Sequence, residues 1–238
     1  VGESISGRTF PFLTIVYNVS AFEDTLVHQG QRRKLALELQ GKGIASQQVL
    51  EAITAVPRHW FFPKDFQSFA YRDAAFPIDH GQTISQPLTV AQQTQLLALA
   101  PKSKVLEVGT GSGYQAAVLL EMGFEVYTIE YIRPLLEQSM HVLGQIKGQI
   151  RAFHGDGSKG LAKYAPYDGI LVTAGAPVLP HDLIAQLSVG GMLVIPVGDH
   201  PQHLTMMRYT KLANGEIREE SFGPAKFVPL KGEFGFEP

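Results

Sequence analysis

The chain contains no cysteine. That absence removes disulfide bonds, thiolate nucleophiles and zinc–thiolate centres together, and it suits any redox compartment without choosing one. Charge is sparse and balanced: 20 Lys and Arg against 22 Asp and Glu give a formal net charge of -2. Such a chain has no cationic excess to offer a nucleic acid, and none is expected as a partner. No apolar run reaches the roughly 18 residues that span a bilayer, so no membrane association is expected. The most apolar early stretch, Phe10 to Phe22, is interrupted by Pro11, Asn18 and Ser20 and preceded only by Arg8 as positive charge. It makes a poor secretory signal, and the expected location is the cytoplasm. The eight histidines are scattered without a spacing such as H-x-x-x-H, so no metal is expected.

What is present suits a soluble globular protein: 238 residues, 45% of them hydrophobic, enough for one large domain or two small ones. Residues 1–30 are rich in Gly, Ser and Thr and show no sustained period. They read as an N-terminal extension, disordered in part and dispensable. From Gln31 the pattern turns helical, with Leu35, Leu39 and Ile44 on one stripe until Gly41 and Gly43 break it. Ser46 opens a second helix, Gln47 to Val56, which Pro57 ends. The aromatic run Trp60-Phe61-Phe62-Pro63 reads as core packing. Gly81 to Pro87 is a loop by composition, and Leu88 to Leu99 is a helix.

Beyond Pro101 strands and helices alternate. Strands are expected over 104–108, 126–129, 150–153, 167–173 and 192–197. Helices are expected over 114–122 and 134–143, with another ending near Leu187. A late hairpin joins 204–210 to 217–222 through Asn214-Gly215. Alternation of this kind implies a mostly parallel sheet covered on both faces. The expected organisation is a single domain over 31–238: a helical part with a functional loop over 31–100, then a ligand-binding core over 101–238.

The strongest local signal is Val105-Leu106-Glu107-Val108-Gly109-Thr110-Gly111-Ser112-Gly113-Tyr114. A buried strand runs into three alternating glycines and then a helix. Glycines permit the tight turn and the close approach of a ligand to the backbone. Dinucleotide sites favour G-x-G-x-x-G; here the spacing is G-x-G-x-G, with Glu107 two residues before it. That combination resembles the first motif of class I S-adenosylmethionine methyltransferases and argues against a NAD-dependent oxidoreductase. Glu130, at the end of the second strand of the alternating region, is placed to accept hydrogen bonds from both ribose hydroxyls. Gly155-Asp156-Gly157 ends the third, with Asp156 expected at the adenine amino group. Such sheets bind ligands at their carboxyl ends.

Substrate class comes from a second set of motifs. Gly81-Gln82-Thr83-Ile84-Ser85-Gln86-Pro87 resembles the active-site loop of the bacterial protein-L-isoaspartate O-methyltransferase family. Val56-Pro57-Arg58, Ala75-Phe76-Pro77-Ile78, His154-Gly155-Asp156-Gly157, Ala165-Pro166-Tyr167-Asp168, Gly190-Gly191, Pro196-Val197-Gly198 and Phe227-Val228-Pro229-Leu230 follow in that family's order, so the likeness covers about residues 31–232. The resemblance implies a doubly wound, mostly parallel seven-stranded class I methyltransferase (Rossmann-like) fold with an N-terminal helical part. It implies S-adenosyl-L-methionine as cofactor, S-adenosyl-L-homocysteine as product, and methylation of L-isoaspartyl carboxylates in damaged proteins and peptides by a monomeric repair enzyme. Cofactor contacts are expected from Gln82, Thr83, Ile84, Ser85, Glu107, Gly109, Gly111, Gly113, Glu130, Tyr131, Asp156 and Gly157. Ser85 is expected as the catalytic residue, and Ser85, Val228, Pro229 and Leu230 as the grip on the substrate. Where animal members have a cofactor-contacting histidine, this chain has Val90.

The chemistry agrees with what the sequence lacks. A carboxylate with a reference pKa of about 4 is already ionised at neutral pH and needs no general base. Methyl transfer then depends on proximity, orientation and exclusion of water. Ser85 is best read as a hydrogen-bond donor, since no base stands near it in sequence to make it a nucleophile. A methyltransferase acting on a small molecule or RNA, and a cofactor-binding module without turnover, share the glycine loop but have no use for the Thr-Ile-Ser loop with the Val-Pro-Leu strip.

Overall fold

The structure, a computed structural model, describes residues 3–4 and 22–236. The apolar run from Phe10 lies outside the described residues except for its last member, Phe22. Helix α1 (Leu26–Gly41) opens on Thr25, whose hydroxyl accepts from His28 N–H while His28 Nδ1 accepts from Thr25 N–H, both at 3.3 Å. This is a reciprocal cap with histidine in the place usually held by Glu or Gln. The helix therefore starts before Gln31, where the apolar stripe begins. Its first turn exposes Leu26 and Val27, so no stripe marks it. Asp24 forms a two-pronged pair with Arg32, at 2.6 and 2.8 Å, and the His28 ring lies 3.9 Å from that of His59. Residues 24–30 are thus tied into the domain rather than lying outside it.

Helix α2 (Gln47–Ala55) is capped by Ser46 and is followed by single turns at Arg58–Phe61 and Lys64–Phe69. The segment expected to be a loop, 81–87, contributes one strand of a small hairpin, β3 (Thr83–Ile84), which pairs with β2 (Phe76–Pro77). Its turn places His80 (φ 59°) and Gly81 (φ 68°) in left-handed conformations, as the two central residues of a type I′ turn require. Helix α3 (Pro87–Leu97) begins with the proline, whose missing N–H costs nothing at a first turn.

The main sheet holds β1 (Glu3–Ser4), β4 (Lys104–Val108), β5 (Glu125–Glu130), β6 (Gln149–His154), β7 (Tyr167–Val172), β8 (Leu187–Val197), β9 (Leu204–Lys211) and β10 (Ile217–Ala225), in the order β1-β6-β5-β4-β7-β8-β9-β10. The five strands from β6 to β8 are parallel, while β9 and β10 continue as an antiparallel meander. Seven strands match the expected sheet, and β1 adds a two-residue antiparallel edge beside β6. Helices α4 (Tyr114–Glu121), α5 (Arg133–Leu143) and α6 (His181–Ala185) connect the strands.

Alternation along buried strands divides the core in two. Val105, Val126, Leu171 and Val194 face the N-terminal helices, α3 and α4. Leu106, Tyr127, Ile170 and Leu193 face the opposite layer. The chain winds outward from β4 through β5 to β6, then returns to β7 on the other side of β4. This reversal opens a crevice at the strand ends, the usual ligand position in such sheets.

Candidate active site

The crevice is a cavity of about 730 Å³, including its open mouth. The glycine loop forms its floor. Gly109, Gly111 and Gly113 all have positive φ (94°, 51° and 88°), a region that side chains rarely occupy. Gly109 is also constrained by packing: a Cβ there would overlap Thr173 Oγ1, which donates to the Gly109 carbonyl at 2.5 Å. Around Gly111 a Cβ would meet nothing, because that position faces open space.

Glu130 ends β5 and lines the cavity. Its Oε2 accepts from Gly111 N–H at 2.8 Å and its Oε1 from Ile132 N–H at 2.9 Å. One carboxylate thus braces the glycine loop and still has an unused lone pair on each oxygen for hydroxyl donors. Tyr131, half-exposed, and Ile132 continue the same wall. Gly157 lines it as well, and a Cβ there would lie 2.6 Å from Val108 Cγ1.

Four expected contacts are placed differently. Gly113 does not line the cavity; a Cβ there would press on Leu143 and Ser139 of α5, so its place is against that helix. Ile84 is fully buried in the core between Thr83 and Ser85, because a strand's side chains alternate; Thr83 and Ser85 face the cavity together with Gln82. Glu107 lies beneath the loop rather than on its surface. It accepts from Thr128 Oγ1 at 2.6 Å, and Thr128 in turn meets Thr110 Oγ1 at 2.6 Å. Burial pushes the Glu107 carboxyl up to about 8, so it supports the loop as a neutral group at neutral pH. Asp156 caps the turn Gly157–Lys159. Its Oδ1 accepts from Ser158 N–H and Oγ–H, and its Oδ2 from Glu233 N–H at 2.9 Å. It does not line the cavity; its carboxylate anchors the C-terminal segment to this turn, and Gly157 is the residue of this turn left facing the cavity.

The opposite wall comes from two strips outside the parallel strands. One is Gln82, Thr83 and Ser85. The other is Val228, Pro229 and Leu230, all of which line the cavity. The latter runs parallel to the end of β7: Gly175 N–H donates to Val228 O at 2.9 Å, and Leu230 N–H donates to Gly175 O at 2.7 Å. In such a ladder the central residue turns its own carbonyl to the free edge, and Pro229 has no N–H to leave unsatisfied there.

Several lining residues are not among the expected contacts, including Tyr114, Gln115, Thr173, Ala174 and Lys231. Gln115 donates to Thr94 Oγ1 at 2.9 Å. Its buried Oε1 has no partner among the described residues. An unpaired buried amide oxygen beside a glycine floor and a carboxylate with free lone pairs fits a ligand that carries a ribose and an amino group. The donor set therefore fits S-adenosylmethionine.

Comparison with known proteins agrees. A Cytophaga hutchinsonii protein-L-isoaspartate O-methyltransferase is 55% identical over 214 residues, covering 90% of this chain and 96% of that protein. The Flavobacterium psychrophilum protein of the same name is 50% identical over 211 residues, covering 87% and 97%. A solved protein-L-isoaspartate O-methyltransferase superposes with a TM-score of 0.77 at 27% identity, covering 86% of this chain and 67% of that one. A Plasmodium falciparum protein solved with S-adenosyl-L-homocysteine shares the fold, with a TM-score of 0.73 at 24% identity. Residues 30–235 match the family described as protein-L-isoaspartate(D-aspartate) O-methyltransferase, and the chain belongs to that family.

Proposed function

We propose that this chain repairs damaged proteins and peptides by methylating the free carboxylate of L-isoaspartyl residues, with Ser85 orienting that carboxylate. When bound, S-adenosylmethionine supplies an electrophilic methyl group. The chain's own residues do the rest by placement. Glu130 would accept from the ribose hydroxyls, while Gly109 and Gly111 would let the ligand lie against the backbone; Tyr131 and Gly157 would flank the adenine, and Gln82 and Thr83 would close the cavity from above. Ser85 Oγ–H donates to the substrate carboxylate and holds one oxygen in line for attack. Val228, Pro229 and Leu230 present a strand edge to the substrate main chain, which suits an extended peptide of any sequence. The observation that carries this reading is the convergence of the Ser85 loop and the 228–230 strip on one cavity whose floor is the glycine loop.

The reading includes a monomer that acts in the cytoplasm without nucleic acid. Among the described residues no helix is long and apolar enough to cross a membrane. The test is methyl transfer from labelled S-adenosylmethionine to a matched pair of peptides, one with L-isoaspartate and one with ordinary aspartate. Labelling confined to the isoaspartyl peptide is the expected result. Equal labelling of both, or of neither with cofactor binding intact, overturns the proposal.

A further inference from the structure

Arg58 is among the largest fully buried side chains, 1% exposed, and no carboxylate bonds to it. Its Nε donates to Ala70 O at 2.8 Å and its Nη2 to Ser85 O at 3.0 Å. Its guanidinium lies 5.3 Å from the centre of the Phe62 ring and 4.5 Å from that of Tyr114. A buried cation without a counter-ion is costly and is retained where its donors do something else.

What it holds is the Ser85 carbonyl, which takes no other hydrogen bond among the described residues. Before Ser85, the β2–β3 ladder fixes Thr83 and Ile84. After it, Gln86 Nε2 donates to Asp73 O at 3.2 Å and Leu88 N–H to Asp73 Oδ1 at 2.8 Å. Between these anchors, the Ser85 carbonyl is bonded by Arg58. Holding that carbonyl fixes the peptide plane after Ser85, and with it the direction in which the serine side chain leaves the backbone. The other side of the guanidinium rests on Tyr114, the first residue of α4 and a lining residue of the cavity, directly after Gly113.

We propose that Arg58 is a positioning residue for methyl transfer, setting Ser85 against the glycine loop by gripping the Ser85 carbonyl while stacked on Tyr114. This inference rests on the reading of Ser85 as the group that orients the substrate carboxylate. The test is a double-mutant cycle of Arg58→Met and Arg58→Lys, each alone and with Ser85→Ala. It measures kcat and KM for an isoaspartyl peptide, Kd for S-adenosylhomocysteine, and Tm. Lysine keeps the charge but cannot reach both carbonyls, and it carries the test if the methionine variant does not fold.

Expected is a loss in kcat of about tenfold or more, as a displaced catalytic group produces, with Kd for S-adenosylhomocysteine changed less than about threefold. In the Ser85→Ala background the same Arg58 substitution should cost less than about twofold, because nothing remains to be positioned. Equal fold losses in both backgrounds, an unchanged kcat, or a loss wholly explained by weaker cofactor binding would overturn the inference. Wild-type turnover by Ser85→Ala itself would remove the serine reading and this one together. An impaired Ser85→Ala with independent, additive Arg58 effects removes this one alone.

Discussion

The two walls of the cavity are built in different ways. The cofactor wall is made where parallel strands end: glycine backbone, peptide N–H groups and one carboxylate that braces the loop it faces. The substrate wall is made of two strips outside the parallel strands, held in place by hydrogen bonds from residues distant in sequence. A wall made of main chain tolerates almost no added atom. A wall made of anchored strips tolerates substitutions but depends on its anchors. Damage to the first should abolish cofactor binding, whereas damage to the second should spare cofactor binding and reduce turnover.

The largest effect is expected at Gly109. Its alanine variant combines a positive φ with overlap against Thr173, and titration calorimetry should find no S-adenosylhomocysteine binding. Binding at the wild-type level would end the contrast between the walls. Next is Ser85→Ala, expected to lower kcat/KM for the isoaspartyl peptide roughly 10- to 100-fold, the value of one hydrogen bond to a charged group at about 1.5–3 kcal/mol. Cofactor affinity should change little, and a parallel fall in both would place Ser85 on the cofactor wall. Glu130→Gln exchanges one of two acceptor oxygens for a donor. About tenfold weaker cofactor binding is expected, with kcat at saturating cofactor largely kept.

Two smaller effects concern support rather than contact. A chain beginning at Gln31 loses the Thr25 cap and the Asp24 partner of buried Arg32. A cap is worth about 1 kcal/mol, and each kcal/mol shifts Tm by about 2–4 °C in a chain of this size, so a drop of several degrees by calorimetry is expected. An unchanged Tm would show that residues before Gln31 are dispensable after all. The smallest effect is a slope with pH. Because burial raises Glu107 from 4.5 to about 8, the folded state keeps a proton that the unfolded chain releases between those values. Stability carried by this group is full below the lower value and lost as pH rises through the upper one. Glu107→Gln should flatten that slope, seen as denaturant midpoints at about pH 5 and about pH 8 that move closer together.

The same contrast explains what is legible in the sequence. The cofactor wall is local: a glycine, a strand end and a carboxylate stand together in the chain, so Gly109, Gly111, Gly113 and Glu130 stand out in the sequence itself. The parallel strands and their order of winding are legible for the same reason, since buried alternation repeats along β4 to β8. The substrate wall is non-local. Ser85 and Val228 to Leu230 are reached through family likeness, and Arg58 passes as one letter of a motif because burial of a guanidinium has no local pattern. Gln115 sits on a helix buried along seven consecutive positions, where no periodicity separates lining from packing. Ile84 groups with its neighbours by sequence, but the alternation of a two-residue strand, too short to detect by composition, turns it into the core. Asp156 stands at the right strand end, yet one oxygen caps its own turn at Ser158 and the other is taken by Glu233, too far along the chain for local spacing to report.

The Pro229 edge has a further consequence. A strip that offers one carbonyl and no N–H can recognise a polypeptide only through the hydrogen donors of the visitor's own main chain. Those donors are occupied in helix interiors and between paired strands. A damaged residue must therefore sit in a stretch that has come loose from its parent fold before this surface can engage it, at a frequency set by the parent's local opening free energy. The enzyme would survey proteins for looseness as well as for lesions: well-packed lesions would escape until their surroundings open, and mobile segments would be repaired first whatever their sequence.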